Sequence, residues 1–229
     1  MTFDSSRLQL LHLCDSLFPI GSFGYSDGLE SAAAREAFRS GDDLRAWLEA
    51  MLEEGFGRLE GPGFLCAWKA LNRCDWAAIV AVDRELAAIR PASASRMASR
   101  SMGLRLVKAW QALHPDATLE RAQALAAEKG FGPALPIAFA LVCGCAGIDA
   151  RDGLFGLAYT RLAATVSAAM RIIALGQTEA HHLLARTLES VPAIVDEVIA
   201  RDGAPESFTP ALDVAQMTHP YVRSRLFRS

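Results

Sequence analysis

Residues 44–59 read LRAWLEAMLEEGFGRL, and within them Leu44, Trp47, Leu48, Met51, Leu52, Gly55, Phe56 and Leu59 recur at steps of three and four. That spacing gathers apolar side chains on one face of an α-helix, whereas a half-buried strand would alternate every second residue. Asp42 and Asp43 precede the run, and their carboxylates are predicted to cap the free N–H groups of its first turn. The same period continues outward. A shorter helix is expected through Phe64, Ala67, Trp68 and Leu71, and another through Trp76, Ile79, Val80, Val82, Leu86 and Ile89, stopped by Pro91. Ser93 or Ser95 is placed to cap a long helix reaching Leu113. His114-Pro115-Asp116 then reads as a turn, Thr118 as a cap, and Leu119 to Lys129 as a short helix closed by Gly130. Toward the start of the chain, Leu8, Leu10, Leu11, Leu13 and Leu17 look like an amphipathic helix. Toward its end, helices are predicted over Pro136 to Gly147, Gly153 to Leu175, Thr178 to Leu188 and Pro192 to Arg201.

No alternating pattern bounded by hairpin signals is present, so the fold class is all-α. The reading is a single-domain helical bundle of about eight to ten helices over residues 1–203, with residues 204–229 as an extended, partner-binding tail punctuated by Pro205, Pro210 and Pro220. Hydrophobic residues make up 52 % and charged residues 21 % of the chain, the composition of a folded globular protein. A net charge of −3 gives no basic footprint for nucleic acid. Cys14, Cys66, Cys74, Cys143 and Cys145 are odd in number and irregularly spaced, which fits small buried thiols in a reducing compartment. Met1 to Ser16 carries Asp4 and Asp15 and has no secretory-signal pattern, so a cytoplasmic location without a membrane anchor is expected. The uncharged stretch from Gly130 to Ile148 is broken by Pro133 and Pro136 and reads as a buried core helix.

Chemistry is sparse. The lysines are Lys69, Lys108 and Lys129, none of which follows a glycine, so the chain has no P-loop. Gly24-Tyr25-Ser26-Asp27-Gly28 fits the G-x-S-x-G pattern of a serine hydrolase, but that nucleophile needs a strand running into it, and the residues upstream look helical. The alternative is a glycine-rich turn in which Ser26 caps the next helix. His12 with Cys14, and Cys143 with Cys145, stand two apart, and on a helix such pairs point to nearly opposite faces. His181 and His182 diverge less, yet the sequence names no further ligands for them, and solvent-facing histidines are the simpler account. No catalytic, cofactor-binding or metal-ligating residue is assigned.

Phe18-Pro19-Ile20-Gly21-Ser22-Phe23-Gly24-Tyr25-Ser26-Asp27-Gly28-Leu29-Glu30 resembles the P-x-G-x-F-x-Y-S-x-G-L-E signature of the UreF family of urease accessory proteins. Ser224-Arg225-Leu226-Phe227-Arg228-Ser229 is similar to the S-R-L-F-R-S with which many members end, and Met217 and His219 fit the residues before it. Arg171 to Gln177 is similar to the family's R-L-x-P-L-G-Q, with Ala174 in place of proline. Ala180 and His181 stand where Gly-Gln is common, and Pro220 where glutamate is common.

The resemblance implies an all-helical, non-enzymatic protein that dimerises and binds the accessory protein UreD or UreH. It also implies recruitment of the nickel-carrying GTPase UreG to apo-urease. The residues then expected to meet partners are Tyr25, Glu30, Arg171, Gln177, Arg225, Leu226, Phe227 and Arg228, with Arg171 and Gln177 on the side of the GTPase. The tail from about Thr209 onward is expected to be mobile in the free protein and to order against UreD/UreH, anchored by Leu226 and Phe227.

Overall fold

The computed structural model describes residues 5–128 and 131–228, all of whose regular elements are helical. The chain opens with α1 (Ser5–Leu13), a 3-10 turn (Ser22–Gly24) and α2 (Leu29–Ala34). A rod follows, made of α3 (Gly41–Ala50), a π-helical stretch (Met51–Glu60) and α4 (Gly61–Asn72). Then come α5 (Trp76–Ile89), α6 (Ser93–Leu113), α7 (Ala117–Ala127), α8 (Leu135–Cys145) and α9 (Ala150–Ile172). The chain continues through α10 (Gln177–Leu188), α11 (Val191–Arg201) and α12 (Pro210–Thr218) to a 3-10 turn (His219–Tyr221).

At the centre lies α8. Every residue from Leu135 to Cys143 is buried, and α4, α6, α7 and α9 pack around it. A helix apolar on all sides belongs inside a bundle, and at 11 residues it is too short to cross a membrane. Among the described residues no helix is long and apolar enough to do so. The close approach of α6 to the segment before α8 depends on Gly103, where a Cβ would stand 1.9 Å from the Pro133 carbonyl oxygen.

The periodic run of residues 44–59 is helical but not uniformly α. Pro62 lies near the start of α4 and cannot donate to the Arg58 carbonyl four residues back, which its ring also crowds. The backbone before it is wound in wider π turns. The Arg58 carbonyl instead accepts the Glu206 N–H at 2.9 Å, which ties the segment after α11 to this rod.

Several caps lie elsewhere than the sequence suggests. Ser40 caps α3, accepting from the Asp43 N–H while the Asp43 carboxylate reaches back to the Ser40 N–H; Asp42 takes no part in that box. Asp116, not Thr118, caps α7, its Oδ1 accepting the Thr118 N–H at 2.7 Å. Neither Ser93 nor Ser95 caps α6, whose N-cap is Ala92 without a side-chain acceptor. Gly28, rather than Ser26, is the N-cap of α2. α7 ends at Ala127, and the predicted terminus at Lys129-Gly130 lies outside the described residues. The predicted amphipathic helix at the start of the chain is shorter and has no single apolar face: α1 ends at Leu13, which is buried, while Leu8 is 60 % and Leu11 69 % exposed and Leu17 lies beyond the helix. Of the cysteines, Cys143 is buried, Cys14, Cys66 and Cys145 are half-buried, and Cys74 is exposed, contrary to the reading of all five as buried.

The stretch after residue 202 also differs from an extended tail. It is non-helical over residues 202–209, coils into α12, and returns to the bundle, where α12 packs on α2 and α6. Leu212, Ala215, His219 and Phe227 are buried. Pro210 produces this local helix because a fixed φ and a missing N–H suit a first turn.

Candidate functional site

Three segments far apart in the chain meet at one place. Gly28 begins the assembly: its φ is +92°, and a Cβ there would stand 2.9 Å from the Gln216 N and 3.1 Å from the Ala215 Cβ. Only a residue without a side chain both adopts that conformation and lets α12 lie this close. The turn directs Glu30 inward at the start of α2, where its carboxylate accepts from three groups of the C-terminal segment: His219 Nε2 at 2.8 Å, the Phe227 N–H at 3.2 Å and the Leu226 N–H at 2.5 Å. The Ser31 and Thr218 hydroxyls bond at 2.8 Å beside them. The Arg228 N–H donates to the Gly24 carbonyl at 2.8 Å.

Arg171, in the last turn of α9, completes the cluster. Its guanidinium donates to the Phe23 carbonyl at 2.6 Å and lies 4.2 Å from the centroid of the Phe227 ring. One cation thus bridges the N-terminal motif and the C-terminal segment through a hydrogen bond and a cation–π contact. Phe227 is 4 % exposed and belongs to this chain's own core, whereas Leu226 is 63 % exposed. The two residues read together as anchors therefore divide, one facing in and the other out. Arg225 and Arg228 are exposed, Tyr25 is half-buried, and Gln177 is exposed at the first position of α10. Among the described residues no side-chain hydrogen bond joins Gln177 to the cluster. Phe23, Met217 and Tyr221 add apolar surface, at 49 %, 50 % and 83 % exposure.

Beneath the motif runs a charged network that local sequence does not reveal. Arg161 of α9 donates to Asp27 Oδ2 at 2.6 Å and to Glu60 Oε2 at 3.0 Å, and Arg90 donates to Glu60 Oε1 at 2.6 Å. Burial disfavours the Arg161 charge, but the Asp27 and Glu60 carboxylates outweigh it and hold the guanidinium firmly protonated. Asp27 belongs to the recognised motif. Glu60, Arg90 and Arg161 come from three separate elements, so only the fold brings them together.

Ser26 is 2 % exposed in a turn between helices, and among the described residues no strand exists from which a nucleophile elbow could be built. His181 and His182 are exposed on α10, and among the described residues no group of three or more His, Cys, Asp or Glu side chains is placed to hold a metal ion.

The UreF family model matches residues 38–188, about two thirds of the chain. The chain belongs to the UreF family. It is 32 % identical to the urease accessory protein UreF of Methylibium petroleiphilum, covering 98 % of this chain and 94 % of that protein. It is 31 % identical to the UreF of Cupriavidus metallidurans across the whole of both chains, and 32 % identical to that of an Azoarcus species over 97 % of this chain and 95 % of the relative. The matched region of the UreF model contains Arg171 and Gln177 but neither terminal motif. Full-length similarity to UreF relatives spans both of those as well.

Proposed function

We propose that this chain is a non-enzymatic scaffold of urease maturation, acting in the cytoplasm as a homodimer that binds UreD/UreH and brings the nickel-carrying GTPase UreG to apo-urease. The observation that carries the reading is the convergence of the N-terminal motif, Arg171 and the C-terminal segment on one ridge. That ridge pairs exposed Arg225 and Arg228 with exposed Leu226, Tyr221 and Phe23, and such a mixture of arginine, aromatic and aliphatic side chains suits the centre of a protein interface. UreD/UreH docks on this ridge, with Leu226 as apolar anchor and Arg225 and Arg228 as charged flanks. Phe227, Glu30 and Tyr25 hold the ridge in shape from within. Arg171 and Gln177 lie toward the GTPase. Self-association is supported by an apolar cleft of about 750 Å³ whose walls include Leu10, Leu11, Phe155 and Tyr159, next to which Leu17 is 84 % exposed.

Co-purification tests the proposal. The intact chain is expected to retain UreD/UreH and UreG on an affinity column. Leu226→Ala and Arg225→Glu are expected to lose UreD/UreH while keeping their helical signal and melting temperature. Equal retention by these variants and the intact chain would remove the ridge from the interface.

A further inference from the structure

A second concave site lies at the α5–α6 corner, away from the ridge. Its volume is about 370 Å³, within the range of roughly 300–1,000 Å³ typical of small-molecule sites, and its walls include Arg90, Ser93, Arg96, Ser99, Arg100 and Asp83. Arg96 and Arg100 stand four apart on α6, so their charges share one face, an arrangement that disfavours an isolated helix. Each is fixed by backbone: Arg96 donates through one terminal nitrogen to the Arg90 and Pro91 carbonyls at 2.6 and 2.8 Å, and Arg100 to the Phe131 carbonyl at 3.0 Å. Neither forms an ion pair among the described residues, in contrast to Arg90, which Glu60 neutralises. The Arg90 Nε is buried without a hydrogen-bond partner. The opposing charge in the wall is Asp83, whose carboxylate is engaged by the Gly132 and Ala134 N–H groups at 3.4 and 2.7 Å. The cavity also meets the start of α6, a 21-residue helix whose first turn has no side-chain cap, so its free N–H groups add positive potential beside Ser93.

We infer that this cavity binds an oxyanion of the phosphate class, with Arg96 and Arg100 as its charge-bearing donors and the uncapped turn of α6 as its backbone cradle. Guanidinium pairs held in place before binding suit phosphate, because several N–H groups can meet its oxygens at once. The volume exceeds what one phosphate fills and leaves room for a second phosphate or for a small carrier.

Isothermal titration of the full chain with inorganic phosphate, pyrophosphate and a nucleoside diphosphate tests this. Saturable binding of one pyrophosphate per chain, tighter than that of phosphate, is expected. Tighter binding of the nucleoside diphosphate than of pyrophosphate identifies a carried phosphate and equal binding a free one, and both support the site. Arg96→Gln with Arg100→Gln is expected to weaken pyrophosphate about tenfold or more, the loss of roughly one charge-assisted hydrogen bond. Because these arginines also hold backbone carbonyls, Ser93→Glu serves as the second variant. It leaves both clamps intact and suits a first helical turn, yet sets a carboxylate at the mouth. It should keep the wild-type melting temperature and bind pyrophosphate about tenfold more weakly. No heat with millimolar pyrophosphate, or equal affinity in Ser93→Glu and the wild type, would overturn the inference.

Discussion

The carboxylate of Glu30 and the imidazole of His219 meet at 2.8 Å although 189 residues separate them, and the same carboxylate receives the backbone N–H groups of Leu226 and Phe227. A carboxylate that accepts from three groups can be replaced by an amide only at a loss, because the amide nitrogen is itself a donor. Glu30→Gln is expected to leave one or two buried donors without an acceptor, at about 1–3 kcal/mol each. Urea unfolding should show a lower midpoint with an unchanged slope, and retention of UreD/UreH should fall in parallel. Unaltered stability would mean that the C-terminal segment is held by other contacts.

Removing Arg223 to Ser229 takes away Phe227, a core side chain, together with its cation–π contact to Arg171. Full burial of a phenylalanine contributes about 1.5–3 kcal/mol, so the truncated chain is expected to melt several degrees lower. Leu226→Ala, in contrast, alters a side chain that is 63 % exposed and should leave the melting temperature within a degree or so of the parent. A truncation that melts like the intact protein would mean that Phe227 is not seated in solution.

At Gly28 an alanine is strained twice, by a φ of +92° and by the 2.9 Å approach to the Gln216 backbone nitrogen. Gly28→Ala is expected to cost more than about 1 kcal/mol, the usual penalty for the left-handed conformation alone, because α12 must also shift. Hydrogen exchange should quicken selectively in residues 210–221. Uniform acceleration across the bundle would instead mean that α12 unfolds only with the whole.

Burial pushes the Cys14 and Cys145 thiols up to about 12, in Cys145 with help from the Asp116 carboxylate, and raises Cys143 well above its ordinary value and Cys66 above it as well. Thiolate is the species that alkylates. At a pH of about 8, iodoacetamide is expected to label exposed Cys74 first, with the remaining four of the five cysteines reacting only after denaturation. Intact-mass measurement over time gives the answer, and rapid double labelling of the native chain would contradict the burial of these thiols.

Helices were legible from sequence because each records its own burial, in an apolar period as Leu44 to Leu59 does or in an unbroken apolar run as Leu135 to Cys143 does. Caps were less legible: Asp42, Asp43, Ser93, Ser95 and Thr118 are all chemically able to cap, and which residue does so depends on where the chain bends into the helix. The tail was misread because Pro205, Pro210 and Pro220 speak only of local backbone. What seats residues 219–228 is a glutamate and an arginine from other elements. Motif resemblance marked Glu30, Arg171, His219 and Phe227 individually, whereas the ties between them follow from packing. The Asp27–Arg161–Glu60–Arg90 network had no local signal at all, since its members share neither a period nor a spacing.

The bond from the Phe227 N–H to Glu30 spans 197 residues, and that span sets an order of events during synthesis. Until residue 228 has left the ribosome, the N-terminal turn has nothing to close upon and the ridge does not exist. Helices of local origin form early and long-range closures form late. On the proposed reading, the ridge offered to UreD/UreH is therefore a late product of folding, present only once residues 226–228 have reached the N-terminal turn.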